Sequence, residues 1–238
     1  MEIKKGVLYL IPVTLGDIAE TADVLPVKIN QIINSIDEYI VENEKSARHY
    51  LKKMGIKKPL QELTLHPLNQ HTQIREIASY LDSIELGKNI GIISEAGCPG
   101  IADPGAEVVK LAHSKNIKVV PLVGPSSVLL ALMASGFNGQ SFTFSGYLPK
   151  ERSERIKKIK ELERCAKEKD QTQLFIETPY RNTHLLEDIL SACDNHTPLC
   201  IACDITLPTE FIKTKSISEW KKQVPDITKR PAIFLIYK

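Results

Sequence analysis

The chain has 238 residues, of which 42% are hydrophobic and 25% charged, and its formal net charge is +2. These values are ordinary for a globular protein of one large or two small domains, and the weak positive charge does not by itself indicate nucleic-acid binding. No apolar run approaches the roughly 18 residues of a membrane span, and the first residues lack a signal-peptide pattern. We therefore expect a cytoplasmic protein without membrane association.

The first half of the chain alternates short apolar strands with helices. Strands are predicted at residues 7–11, 38–41, 61–66, 90–93 and 117–123. Helices are predicted at residues 23–35, 44–54, 71–86 and 106–114. This alternation is typical of a mostly parallel sheet covered by helices on both faces.

Strands are denser in the second half, which predicts a sheet of mixed direction. They are expected at residues 142–147, 174–177, 199–205, 210–215 and 232–237. Helices are expected at residues 126–134, 151–169, 181–193 and 218–223. We place a domain boundary where the pattern changes, giving an N-terminal α/β domain, 1–123, and a C-terminal α/β domain, 124–238.

Five cysteines are present, and their odd number argues against a complete disulfide framework. Cys200 and Cys203 form C-x-x-C within an apolar, strand-like run, and no second pair exists that would complete a zinc site. Buried small apolar side chains explain this pair better than metal or redox use does. No metal site is predicted.

Three loops that follow predicted strands are candidates for ligand binding, because open α/β sheets bind small molecules beyond the carboxyl ends of their strands. They are residues 12–17, the glycine-rich residues 94–105, and residues 123–127 with the sequence V-G-P-S-S. Backbone N–H groups of the 94–105 loop can reach a ligand, and Ser126 or Ser127 can cap the following helix. Neither dinucleotide nor P-loop motifs are present. A purely structural turn remains an alternative for the 94–105 loop.

Five segments, in order along nearly the whole chain, resemble the tetrapyrrole methylase superfamily. S-E-A-G-C-P-G-I-A-D-P-G at 94–105 is similar to its S-D-A-G-T-P-x-x-x-D-P-G, and L-Y-L-I-P-V-T-L-G-D at 8–17 is similar to L-Y-L-V-P-T-P-I-G-N-L-x-D. Residues 120–127, 146–150 and 175–181 resemble V-x-P-G-P-S-A, G-F-L-P-R and F-Y-E-S-P-H-R. These patterns are closest to the branch that methylates a cytidine ribose 2′-hydroxyl in small-subunit ribosomal RNA.

The resemblance implies a two-domain α/β fold, a homodimer, and S-adenosylmethionine bound in the cleft between a mostly parallel and a mixed sheet. It further implies that the cofactor contacts a set of residues from several loops. These are Pro12, Ala96, Gly97, Cys98, Ile101, Asp103, Ser126, Ser127, Glu177, Pro231 and Ala232.

The chain departs from the family pattern at positions expected to face the substrate. A-E-D-T-R of the branch becomes V-E-N-E-K at 41–45, which keeps Glu42 but loses a carboxylate and an arginine. In the 94–105 loop, Glu95 replaces the aspartate of the family pattern and Cys98 replaces its threonine. Glu42 is our candidate for the base or orienting group, and Glu177 is the second. Methylation of ribosomal RNA is expected; a small tetrapyrrole or protein substrate, or an inactive cofactor-binding homologue, are the alternatives.

Basic residues around the helix at 151–169 are candidates for RNA phosphate contact, although a solvated helix face explains them too. Those nearest its start are Lys150, Arg152, Arg155, Lys157 and Lys158. His71 and Arg181 are further candidates for substrate contact. Trp220 is expected to lie in the core or at a dimer contact.

Overall fold

The computed structural model describes residues 4–69 and 72–238. The chain divides into two compact units, Met1–Ser126 and Ser127–Lys238. The described residues form all ten predicted strands, five in each of two sheets.

The first unit is built on a parallel sheet in which every strand pair runs in the same direction. Its strands are β1 (Val7–Ile11), β2 (Glu38–Val41), β3 (Thr64–Pro67), β4 (Ile90–Ile93) and β5 (Lys118–Pro121), in the order β3-β2-β4-β1-β5. Its helices are α1 (Thr21–Val24), α2 (Lys28–Ile33), α3 (Glu44–Lys53), α4 (Ile74–Tyr80), α5 (Asp82–Glu85) and α6 (Gly105–Ser114). The predicted parallel sheet is confirmed.

Both faces of this sheet are buried, as predicted. Successive side chains of a strand point to opposite faces, so Tyr39 and Ile40 of β2 enter different core clusters. Tyr39 packs in the cluster with Ile29 of α2, and Ile40 in the one with Val108 of α6. Helices therefore cover both faces.

The second unit carries a mixed sheet in the order β6-β7-β10-β8-β9. These strands are β6 (Phe142–Tyr147), β7 (Thr172–Ile176), β8 (Pro198–Cys203), β9 (Phe211–Ser216) and β10 (Ala232–Ile236). Only β6 and β7 pair in parallel among the strands described in this unit. Its helices are α7 (Ser127–Ser135), α8 (Arg152–Lys169), α9 (Asn182–Ala192) and α10 (Ile217–Lys222). The mixed direction agrees with the prediction.

One core cluster holds the second unit together. Trp220 is buried within it and donates its indole N–H to the carbonyl of Leu199. Cys200 and Cys203 are both buried in β8. Within the described residues, no three His, Cys, Asp or Glu side chains are grouped so that they could share a metal ion.

Three predicted elements need correction. The helix expected at 23–35 is interrupted at Leu25, which is extended (φ −119°, ψ 131°), because Pro26 disfavours the helical conformation of the residue before it. The helix expected at 71–86 is two helices that meet at Leu81, and its first residue, His71, lies outside the described residues. The strand expected at 61–66 begins only at Thr64, after a 3₁₀ turn.

None of the helices within residues 4–69 and 72–238 combines the length and the apolar character that crossing a bilayer requires.

Candidate functional site

Three loops of the first unit meet at one edge of the parallel sheet. They follow β1, β4 and β5, which are neighbours in the sheet, so their carboxyl ends lie side by side. The N–H of Val13 donates to the carbonyl of Gly97 at 2.9 Å. The thiol of Cys98 donates to the carbonyl of Pro125 at 3.3 Å. The structure thus brings together the loops that carry Pro12, Ala96, Gly97, Cys98 and Ser126.

Two glycines allow this close approach. Gly97 has a φ of +69°, and a Cβ there would lie 3.1 Å from both a methyl carbon of Leu15 and the carbonyl oxygen of Pro125. A Cβ on Gly124 would lie only 2.2 Å from the Cβ of Pro12. Side chains at either position would push the loops apart.

The backbone of the 94–105 loop offers unused hydrogen-bond donors. Among the described residues, the N–H groups of Ala96, Gly97 and Cys98 have no protein acceptor. Consecutive free N–H groups in a turn form a concave site for a carboxylate or another oxygen acceptor. The loop can therefore hold a polar ligand group without any side chain.

Cys98 contributes a neutral thiol. Burial raises the pKa of this thiol above its ordinary value. The thiol therefore stays protonated at neutral pH and acts as a weak donor, as its contact with Pro125 shows. A reactive thiolate would need a lowered pKa instead.

Asp103 holds the second half of the loop in place. Its carboxylate accepts from the N–H of Gly100 at 2.8 Å and from the N–H of Gly105 at 2.7 Å. Burial raises the pKa of Asp103, although these two hydrogen bonds act in the opposite direction. Next to this turn, Ile101 is 52% exposed and available to a ligand.

Glu42 lies where β2 ends, beside the same loop. Its carboxylate accepts from the N–H of Glu95 at 3.1 Å. Partial burial raises the pKa of Glu42, and the nearby negative charges of Asp103 and Glu95 raise it further. These three carboxylates line a cavity of about 600 Å³. A carboxylate that lines a cavity and whose pKa is raised accepts a proton more readily than an ordinary carboxylate.

The residues after Glu42 have taken structural roles. The side-chain oxygen of Asn43 accepts from the N–H groups of Lys45 (2.9 Å) and Ser46 (3.3 Å) and so caps α3. The hydroxyl of Ser46 donates to Glu95 at 2.7 Å. Asn43 and Ser46 therefore tie α3 to the edge of the sheet that carries Glu42.

A second cavity, of about 400 Å³, lies between the loop after β1 and the exposed face of α3. Lys45, His49 and Lys53 line it, spaced four residues apart on one side of the helix. These three residues were not predicted from the sequence as a site. The signal that could have revealed it is the K-x-x-x-H-x-x-x-K spacing, which places three nitrogen-bearing side chains on one helical face.

In the second unit the structure brings together a different group of predicted residues. Glu177 follows β7, is buried, and accepts from the guanidinium of Arg181 at 2.6 Å. Ile233 of β10 pairs with Ile176 in antiparallel register, which places Ala232 beside Glu177. Pro231 precedes Ala232 and is exposed. Ser127 is the first residue of α7, whose first turn has N–H groups without intrahelical acceptors.

The basic residues at the start of α8 have different surroundings. Lys150 is exposed, and the side chain of Arg152 is 69% exposed while its Nε donates to Asp188. Arg155 is buried: it pairs with Asp188 at 2.7 Å and donates to the carbonyls of Pro149 and Lys150. Arg155 therefore holds the loop that carries Lys150. The predicted RNA contact by Arg155 is therefore wrong, because its buried guanidinium is occupied by Asp188 and by these carbonyls. RNA contact by Lys150 and Arg152, and by His71 outside the described residues, remains a prediction.

Comparison with known proteins identifies what the fold and these loops resemble. A family model of the tetrapyrrole (corrin/porphyrin) methylases matches residues 8–221. A protein of Buchnera aphidicola subsp. Schizaphis graminum, named ribosomal RNA small subunit methyltransferase I, is 28% identical over 98% of this chain and 78% of that protein. A Haemophilus influenzae protein of the same name is 27% identical over 97% and 78%.

Solved structures show the same fold. The methyltransferase CobJ superposes with a TM-score of 0.65 at 16% identity, covering 98% of this chain and 94% of that one. Diphthine synthase superposes with a TM-score of 0.66 at 15% identity, covering 98% and 90%. At such identities these similarities show the architecture alone, and they confirm the predicted fold class.

Proposed function

The chain belongs to the tetrapyrrole methylase family and is an S-adenosylmethionine-dependent methyltransferase, and from this premise we propose that it methylates RNA of the small ribosomal subunit. The observation that carries the proposal is the extent of similarity: relatives named for that activity align with 97–98% of this chain. The proposed acceptor is a ribose 2′-hydroxyl, as the family resemblance of the loops suggests.

The loops of the first unit suit this cofactor. S-adenosylmethionine carries a carboxylate, an amine and ribose hydroxyls, which need donors and acceptors at close range. The free N–H groups of Ala96, Gly97 and Cys98 supply donors. Because Gly97 and Gly124 have no side chain, the backbone of these loops stays accessible to the ligand. Contacts from Ser127, Glu177, Pro231 and Ala232 are part of the same proposal.

The bound cofactor supplies a methyl group activated by a positively charged sulfur. The protein then has to position an acceptor hydroxyl in line and remove its proton. We assign proton removal to Glu42, whose pKa is raised by its surroundings. Glu95 orients Glu42 through its backbone N–H, and Ser46 fixes the side chain of Glu95.

Transfer of tritiated methyl groups to ribosomal subunits tests this proposal. Small subunits from cells that lack the gene should accept label, and subunits from cells that have the gene should not. Because a 2′-O-methyl group protects the adjacent phosphodiester from alkaline cleavage, the labelled nucleotide should resist alkaline hydrolysis. Label in protein or in a small tetrapyrrole, without label in RNA, would contradict the substrate assignment. Binding without any transfer would contradict the enzymatic role.

Two further expectations follow from the proposed substrate and family. We propose that the enzyme acts in the cytoplasm, where ribosomes are assembled, and that it is a homodimer. Light scattering after size exclusion should then give twice the 26.6 kDa mass of one chain. A mass of one chain at micromolar concentration would contradict the dimer.

A further inference from the structure

Two tyrosines of the second unit have largely exposed side chains. Tyr147 is 57% exposed and Tyr180 is 79% exposed. In the described part of the chain, neither has a hydrogen bond from its hydroxyl or a ring contact with another aromatic residue. Large aromatic side chains are costly to leave in water, so an exposed pair suggests a binding role.

Strand pairing places both tyrosines at the same edge of the sheet. Tyr147 is the last residue of β6 and pairs with Ile176, the last residue of the parallel strand β7. Tyr180 follows four residues after Ile176, in the short 3₁₀ turn Pro179–Arg181. Neighbouring strands are about 4.8 Å apart, so the two backbone segments leave the sheet side by side.

Local backbone features present these rings outward. The register of β6 shifts between Phe144 and Tyr147, and Gly146 within the shift has a φ of +64°. Such a bulge re-aims the side chain that follows it. Pro179 restricts the backbone immediately before Tyr180. The bulge at Gly146 and the turn that begins at Pro179 therefore determine the backbone conformation next to the two tyrosines.

Positive side chains lie close by in the sequence at this edge. Lys150 is exposed three residues after Tyr147, and the side chain of Arg152 is 69% exposed although its Nε donates to Asp188. Arg181 follows Tyr180, and its charge pairs with Glu177. Glu151 is the acidic residue between Lys150 and Arg152. Aromatic rings together with basic side chains are the combination that proteins use to bind single-stranded nucleic acid.

We propose that Tyr147 and Tyr180 stack on unpaired bases of the RNA substrate, while Lys150 and Arg152 contact the phosphates beside those bases. This inference rests on the proposed function, since it names the part of the RNA that the enzyme holds. Ring faces accept any base, so the site selects unpaired RNA rather than a particular sequence. A hydrogen-bonding hydroxyl is not required.

Binding of a fluorescein-labelled single-stranded RNA of mixed sequence, about 12 nucleotides long, tests the proposal by fluorescence anisotropy at fixed low salt. Tyr147→Ala and Tyr180→Ala should each weaken affinity about tenfold, the usual loss for one stacked base. Tyr147→Phe and Tyr180→Phe keep the ring and should bind like the wild type. Val224→Ala, at a 53% exposed position outside this edge, is the matched control and should change nothing.

A second RNA in which the central nucleotides lack bases separates stacking from phosphate contact. This RNA should bind the wild type more weakly and should not distinguish wild type from the alanine variants. Wild-type affinity in both alanine variants would overturn the stacking site and leave methyl transfer to ribosomal subunits untouched. Loss of affinity in the phenylalanine variants, or an altered oligomeric state in the alanine variants, would also overturn it. A wild type that neither labels nor binds RNA would overturn both proposals.

Discussion

At the scale of single residues, the carboxylates at the edge of the first sheet differ in what they can do. Asp103 is occupied by two backbone N–H groups, and Glu95 accepts from Ser46. Glu42 accepts one N–H and lines the cavity with a raised pKa. Glu42 therefore has carboxylate lone pairs that accept no hydrogen bond from the described residues, and its raised pKa favours uptake of a proton.

Replacing Glu42 by glutamine should lower the rate of methyl transfer about 10²- to 10⁴-fold, the usual contribution of a general base. Affinity for S-adenosylmethionine, measured by calorimetry, should be unchanged. Glu44→Gln, two residues away and exposed, is the control and should keep full activity. Full activity in Glu42→Gln with normal cofactor binding would rule out the assignment.

The raised pKa of Glu42 predicts how the stability and the activity of the protein respond to pH. Because the folded-state pKa of Glu42 lies above the ordinary value of 4.5, its contribution to stability is present at low pH and lost as the pH rises through that pKa. Glu42→Gln should therefore melt at a temperature no lower than the wild type at pH 7. Activity shows the opposite dependence: the wild-type rate should fall as Glu42 is protonated in acid. An acid-independent rate would argue against Glu42 as the base.

Gly97 and Gly100 form a matched pair for testing the ligand loop. Both have positive φ, +69° and +84°, so alanine at either should cost about 1–2 kcal/mol of backbone strain. Only Gly97 also has neighbours at 3.1 Å, whereas a Cβ on Gly100 meets no atom within 4 Å. Gly97→Ala should thus lose cofactor affinity in calorimetry, while Gly100→Ala should lose stability alone. Equal affinities would contradict the proposed position of the cofactor.

The sequence predicts a contiguous motif of the site, but it does not predict a contact between residues far apart in the chain. The 94–105 loop is a contiguous motif, so its glycines and its place after a strand were visible in sequence. The environment of Arg155 was not, because its partner Asp188 lies 33 residues away on another helix. Only packing reveals that this arginine is buried. Periodicity alone likewise did not show that Lys45, His49 and Lys53 face a cavity.

At the scale of elements, strands were predicted more accurately than helix continuity. Short apolar runs locate all ten strands to within a few residues, and proline or glycine marks the end of some of them, such as β1 before Pro12. Pro26 is a local signal for the break between α1 and α2. The break at Leu81 has no such signal: neither proline nor glycine is present, and the burial of Leu81 and Ile84 in the core accompanies the change in helix.

The junction between α8 and α9 depends on one buried carboxylate. The side chain of Asp188 is 3% exposed and contacts both Arg152 and Arg155. Asp188→Ala should lower the free energy of unfolding by about 3–5 kcal/mol, because it leaves the buried Arg155 without its counter-charge. Glu161→Ala removes an exposed partner of Lys158 and should cost at most about 1 kcal/mol. Urea denaturation of both variants checks this; equal losses would contradict it.

At the scale of the whole molecule, the cofactor should stabilise the folded chain. A ligand that binds only the native state adds about 2.7 kcal/mol when its concentration is 100 times its dissociation constant. S-adenosylmethionine should therefore raise the melting temperature in differential scanning fluorimetry. ATP is the control and should have no effect, since the chain has no P-loop motif. A shift with ATP alone would point to a different ligand.

The strand order of the first sheet also has a consequence for synthesis on the ribosome. Among the described strands, β1 pairs only with β4 and β5. Leu8 can therefore pair only after Ile90, about 80 residues later, and then Val119 have been synthesised. At about 5–20 residues per second, the apolar segment V-L-Y-L-I of β1 spends roughly 4–16 s outside the ribosomal tunnel without a partner strand. The nascent chain thus exposes an unpaired hydrophobic strand early, a segment that a chaperone would bind during translation.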